Sequence, residues 1–375
     1  MMHVVLLKSR ARNQGGLEKS ASRIATAFLE KGAEVSVLTT GHLPFHPLIA
    51  FHSIQPTPWP AFLRMEQFDR FVRRWLKKNP ADIVFGMDRN RVQTHFRAGN
   101  GVHAAYLKSR ILTEGKLKYY TCLVNPMHQK ILQLEKEAFE YPGLKKLFTN
   151  SHMVKEQILE RFSTDRAKIQ VIHNGVEWHE MEADFKEWEV KKKEHCAALE
   201  LDPDQFQFLF IGNGYLRKGL GQLLQGLARL SRKDVHLSVI GKDSSQGVYE
   251  EQARSLGLSK QVRFFGPRSD IRAFYQLADC LAIPSFYDPF ANVTVEALAM
   301  GLFVVSSNCN GGAEVLTPEC GAIIEDLLSP DAMAHALEIA LKHPKTAAHS
   351  QQVRLSMKYL DFSHQMHTLT EGCYG

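Results

Sequence analysis

The chain has 375 residues, 44% of them hydrophobic and 23% charged, with 46 Lys and Arg against 40 Asp and Glu for a net charge of +6. That length exceeds one ordinary core and predicts two domains, while the composition is that of a soluble globular protein and excludes a disordered or membrane-spanning chain. Six cysteines without a Cys-x-x-Cys pair and seventeen histidines without a His-Glu-x-x-His spacing speak against zinc, a disulfide frame or any other metal site, so none is expected. The mild positive charge suits an anionic small molecule or an anionic membrane surface, and no RNA- or DNA-reading motif stands out.

The opening apolar run, VVLL, is too short for a signal peptide and is followed by charge, so a cytoplasmic protein is expected. Residues 3–8 read as a buried strand, Gly15-Gly16 as a turn, 17–32 as an amphipathic helix and 34–40 as the next strand. This is the opening of a parallel α/β sheet. A glycine pair at a strand's C-terminal end lets a backbone approach a ligand, and it equally makes a plain turn. The Gly-x-Gly-x-x-Gly dinucleotide fingerprint is missing.

Residues 41–60, rich in His and Pro, read as a loop, 65–80 as a helix with a basic outer face, and 81–87 as a strand. A glycine-punctuated loop over 94–110 presents His103 just after Gly101. Lys108, Arg110, Lys116 and Lys118 then alternate with Tyr106, Tyr119 and Tyr120, a mixture that fits an anionic membrane surface or an ordinary solvated loop. Helices follow at 128–142 and 152–162, and strands at 144–151 and 169–177. Residues 178–200 are highly charged with little periodicity and read as an inter-domain crossing. A second strand–helix alternation runs from 207 to 342, so the expected domains are 1–177 and 178–357.

Two stretches of the second half carry chemistry. Gly212-Asn213-Gly214-Tyr215-Leu216-Arg217-Lys218-Gly219 opens a helix after a strand. Arg offers a bidentate grip on phosphate oxygens and Lys a point charge, so Gly214, Arg217 and Lys218 read as anion ligands. In PSFYDPFANVTVEALAMG, 284–301, a loop runs into a helix whose first amides, near Ala291, Asn292 and Val293, favour a phosphate. Asp288 stands in the loop and Glu296 about a turn inside the helix, two carboxylates able to bind hydroxyls.

With these stretches, the Gly15-Gly16 loop, RAGNGVH at 97–103 and NGVE at 174–177, the chain resembles the family-4 retaining glycosyltransferases of GT-B fold over nearly its whole length. The resemblance implies two doubly wound Rossmann-like α/β domains facing a cleft, the acceptor side formed by the first and the nucleotide sugar held by the second. It implies that the last helix, within 358–375, returns to the first domain. Arg217 and Lys218 would hold the diphosphate, Glu296 the ribose, and His103 and Asp288 the transferred sugar, with Gly16 close to it. Asp288 stands where the family usually has Glu, one methylene longer. A retaining, metal-independent hexosyl transfer without a cofactor follows by resemblance. UDP-glucose is the expected donor, and a lipid-linked saccharide of the lipopolysaccharide core the expected acceptor, at the inner membrane. A nucleotide-sugar epimerase of similar fold and a transferase with another donor and acceptor are the alternatives.

Overall fold

The computed structural model describes residues 1–9, 16–40, 47–55 and 60–374. The chain divides into two units, Met1–His173 with Ser363–Gly375, and Asn174–Phe362. The division thus falls at 173/174 and 362/363, a few residues from the expected 177/178 and 357/358.

Among the described residues, the first unit holds β1 (His3–Lys8), β2 (Glu34–Thr39), β3 (Ile49–Ser53), β4 (Ile83–Gly86), β5 (His95–Arg97), β6 (Lys146–Thr149) and β7 (Ile169–Val171). They form one sheet in the order β3-β2-β1-β4-β5-β6-β7, every pair parallel. Val4, Val5, Leu6 and Leu7 of the central strand are buried, as a strand covered on both faces requires. The helix Gly16–Glu30 turns Ala21, Ile24, Ala25 and Phe28 inward, the spacing of one helical face. β3 lies within the stretch read as a loop. It is a short edge strand pairing only with β2, and its polar neighbours hide its period.

The second unit holds β8 (Phe206–Ile211), β9 (Val235–Ile240), β10 (Val262–Gly266), β11 (Cys280–Ile283), β12 (Phe303–Ser307) and β13 (Gly321–Ile324). Their order is β10-β9-β8-β11-β12-β13, again all parallel. The order reverses between β8 and β11, and ligands of such sheets bind at the strand ends beside that switch. Residues 178–200 are not a solvated crossing. They form the helices Glu182–Lys186 and Trp188–Ala198, and Trp178, Met181, Phe185, Trp188 and Cys196 join this unit's core. Arg354 stacks its guanidinium 4.1 Å from the Trp178 ring and 4.9 Å from Phe185, so charge and aromatics share one buried layer.

The last helix, Phe362–Tyr374, packs within the first unit, with Tyr374 edge-on to Phe28 and Glu371 paired with Lys31. Val176 and Asp361 form a parallel bridge, with Val176 N donating to Leu360 O and Phe362 N to Val176 O, each at 2.9 Å. The second unit therefore begins and ends side by side.

Candidate active site

After β8 the loop Gly212-Asn213-Gly214 leads into one helical turn, Tyr215–Lys218, and then the helix Leu220–Arg229. Gly214 and Gly219 flank that turn in the left-handed region, at φ 73 and 77. A Cβ at Gly219 would lie 2.0 Å from Pro284 O, so only glycine lets the turn sit against the end of β11. Tyr215 anchors it from below. Its hydroxyl donates to Gly241 O at 3.1 Å, and its amide to Asp243 Oδ2 at 2.6 Å.

The turn carries two cations to the loop after β11. Arg217 O accepts from Phe286 N at 2.8 Å. Arg217 donates one N–H group to Tyr287 O at 2.9 Å and to Asp288 Oδ2 at 3.1 Å. Lys218 Nζ donates to the same Oδ2 at 2.6 Å. Lys218 is 7% exposed and Asp288 8%. Burial opposes the Asp288 charge, but Lys218 and Arg217 outweigh it and hold the carboxyl below its usual range. Burial also draws the Lys218 ammonium below its ordinary value, against the pull of Asp288. Each charge replaces water that the other has lost, and the pair stays ionic. The sequence puts Asp288 by a sugar and the two bases by a diphosphate; the structure joins all three in one ion cluster.

Four residues on, the helix Asn292–Ala299 starts at Ala291 without a side-chain cap. Asn310 braces this corner. Its Oδ1 accepts from Ala291 N and Gly312 N, both at 3.0 Å, and its Nδ2 donates to Ser306 Oγ at 3.0 Å. Asn310 also bridges to Asp288 through the backbone, with Asp288 N on Cys309 O at 3.0 Å and Gly311 N on Asp288 O at 2.9 Å. The cations, the carboxylate and the helix start are thus one connected corner. Glu296 lies one turn inside the helix, and its Oε2 accepts from the Tyr275 hydroxyl at 2.7 Å. Burial, and then Glu296, push the Tyr275 phenol well up, which keeps it a donor.

In the first unit, His103 is the first residue of the helix His103–Val124, not a loop residue. Gly115, at φ 83 and ψ 167, interrupts that helix and masked its period. The helix start already holds an anion. Glu135, fully buried, accepts from His103 N at 2.7 Å and Ala104 N at 3.2 Å, and pairs with Arg89 at 2.9 Å. The His103 ring lies with Nε2 3.0 Å from His128 Nδ1. Burial, with Arg89, His128 and Arg110 nearby, pushes His103 down to about 4, and burial lowers His128 too. The dyad is neutral at physiological pH, a hydrogen-bonding pair rather than a cation. Gly16 opens the helix Gly16–Glu30 after β1, and Gly15 lies outside the described residues.

Asn310, Tyr275, Glu135 and His128 were not among the residues picked from the sequence. Asn310-Gly311-Gly312 after a strand repeats the signal of Gly212-Asn213-Gly214 and could have been found. Glu135 sits in LEKEAFE, which reads as a solvated helix face, and gives no local signal.

Residues 14–179 match the family model "Glycosyltransferase Family 4", and residues 191–353 match "Glycosyl transferases group 1". The chain belongs to the family-4 glycosyltransferases of GT-B fold. An uncharacterised glycosyltransferase of Methanocaldococcus jannaschii is 27% identical over 87% of this chain and 85% of its own. The lipopolysaccharide glucosyltransferase WaaG of Escherichia coli is 24% identical over 87% and 86%. Among solved structures, WaaG superposes with a TM-score of 0.79 at 20% identity, covering 99% of this chain and 100% of that one. HepE of Anabaena, solved with UDP and glucose, gives 0.70 at 16% identity over the whole of both chains. As a family-4 glycosyltransferase, this chain carries the Arg217–Lys218–Asp288 cluster in the loops that follow β8 and β11, beside the point where the strand order reverses.

Proposed function

We propose that this glycosyltransferase moves a hexose, with retention and without a metal, from a nucleoside diphosphate sugar to a saccharide acceptor. UDP-glucose is the donor and a lipopolysaccharide core the acceptor in this reading. One observation carries it: a buried lysine and a half-exposed arginine meet on the loop that leads into an uncapped eight-residue helix, and that helix carries Glu296. Such a corner suits a diphosphate, with a ribose at the carboxylate. Arg217, Lys218 and the amides near Ala291, Asn292 and Val293 neutralise the leaving diphosphate, which is electrostatic preorganisation. Gly214 lets the loop backbone come close to it. Glu296, oriented by Tyr275, takes the ribose hydroxyls. Both cations converge on Asp288 Oδ2, which leaves Oδ1 for a hydroxyl of the sugar. In the first unit His103 supplies a neutral hydrogen-bond donor or acceptor for a sugar hydroxyl. That WaaG is a lipopolysaccharide glucosyltransferase supports the choice of glucose and of a lipopolysaccharide acceptor.

Membrane contact belongs to the same reading. No described helix is long and apolar enough to cross a membrane. The helix His103–Val124 instead exposes Leu112, Leu117, Tyr120 and Val124, with Leu117 79% exposed, beside Lys108, Lys116 and Lys118. That pairing of apolar and basic side chains suits the surface of an anionic bilayer, where an inner-membrane acceptor would be met.

The test is a screen of UDP-, GDP- and ADP-sugars, with and without truncated lipopolysaccharide, in buffer containing EDTA. Acceptor-dependent release of UDP from UDP-glucose is expected. Turnover without acceptor would point to an epimerase or hydrolase, and loss of activity in EDTA would overturn the metal-independent reading. Binding to vesicles containing anionic lipid should fall for Leu117→Asp, and unchanged binding would remove the membrane assignment.

A further inference from the structure

We infer that Asp288 is a built-in counter-anion for Arg217 and Lys218 that limits how tightly the leaving nucleoside diphosphate is held, and so governs its release. The inference rests on the reading that these two cations hold the donor diphosphate. Two cations share one carboxylate oxygen, at 3.1 and 2.6 Å, so the corner keeps one positive charge in surplus rather than two.

The arrangement is held by backbone, not by side-chain choice alone. Asp288 is fixed on both sides of its peptide, by Cys309 O and by Gly311 N. Arg217 is fixed through its own carbonyl by Phe286 N. Gly219 seats the turn against Pro284. The carboxylate therefore cannot swing far from the cations when a second anion arrives. It stays and repels that anion at short range. In a buried corner such repulsion is poorly screened.

The consequence for catalysis is direct. Charge stabilisation that is equally strong for the bound donor as for the transition state does not raise the chemical rate, and where it persists in the bound product it slows release. Release of product limits many enzymes. A fixed carboxylate weakens the hold on the finished diphosphate while leaving both donors aimed.

Calorimetric titration of UDP and of inorganic pyrophosphate into the full-length protein tests the idea. Asp288→Asn and Asp288→Ser should each tighten both ligands by about tenfold or more, the scale of one close charge pair. Dissociation of bound UDP, measured by displacement with excess unlabelled UDP, should slow in both variants by a similar factor. Asp288→Glu, which keeps the charge, should stay within roughly threefold of the parent, far less than the loss of a close charge pair. Unchanged or weaker binding in the folded Asn and Ser variants overturns the counter-anion role. Thermal unfolding identifies which variants are folded, and either of the two neutral variants suffices. Lys218→Ala separates the layers of the argument. If it leaves UDP and pyrophosphate binding intact, the diphosphate reading itself fails. If it weakens them while the neutral variants do not tighten them, only the role of Asp288 falls.

Discussion

Two helices of this protein follow the C-terminal ends of parallel strands, β5 and β11, and they treat their first amides in opposite ways. At His103 the amides are claimed by the buried carboxylate of Glu135, which Arg89 neutralises in turn. At Asn292 no side chain caps the helix, and the nearby carboxylate, Asp288, faces two cations instead. The positive end of a helix dipole is thus met by a buried carboxylate in one unit and left without a side-chain cap in the other. The first corner is left with a neutral imidazole pair, suited to hydroxyls. The second is left cationic, suited to phosphate. The same secondary-structure device is closed or left open according to where one acid is placed.

The contrast can be attacked at its stronger joint first. Glu135→Ala strips a fully buried partner from Arg89 and from two amides, and should cost about 3–5 kcal/mol of stability by urea denaturation. A loss below about 1 kcal/mol, the scale of an exposed pair, would mean that Glu135 is not the structural anion described here. Lys218→Ala should leave the fold intact and lower kcat on the order of a hundredfold, as removal of a charge-stabilising donor does. Near-normal turnover of the folded variant would end its assigned role.

What could be read in advance divides along the same line. The parallel sheets were legible because their strands are continuous aliphatic runs, as in VVLL and FLFI. Arg217, Lys218, Asp288 and Glu296 stood out one by one because each sits within a few residues of a strand end or helix start. Glu135 was not, since it reaches the His103 amides from 32 residues away and looks locally like any helical acid. The ion cluster was illegible for the same reason. Its partners are 70 and 71 residues apart, and no spacing rule joins them. The aromatic layer of residues 178–188 was hidden by the charges around it, which face outward once the tryptophans turn in.

Two smaller effects sharpen the comparison. Glu296→Gln should raise the donor KM by about tenfold, the worth of a hydrogen bond to a charged group, while kcat changes less. Tyr275→Phe should move KM in the same direction by a smaller factor. In the other corner, pH is the probe. His103 titrates near 4 in the folded protein against an ordinary 6.5, so the unfolded chain binds more protons between those values. Its contribution to stability is complete above about 6.5 and is lost as pH falls toward 4. His95 and His236, also pushed by burial to about 4, add the same dependence. His103→Gln should flatten that part of the stability profile, and an unaltered slope would show that His103 is not held neutral.

The bridge between Val176 and Asp361 has a consequence for how the chain can be taken apart. Because the second unit enters and leaves through adjoining backbone, it has the topology of an inserted module. Residues 174–362 form a segment that can be cut out whole, or have their neighbouring ends joined and new termini opened in an exposed loop. Cutting at 178 instead would leave behind Val176, half of the bridge that closes the module. The useful scissors fall before Asn174, and with that cut the corner of Arg217, Lys218 and Asp288 travels as one piece.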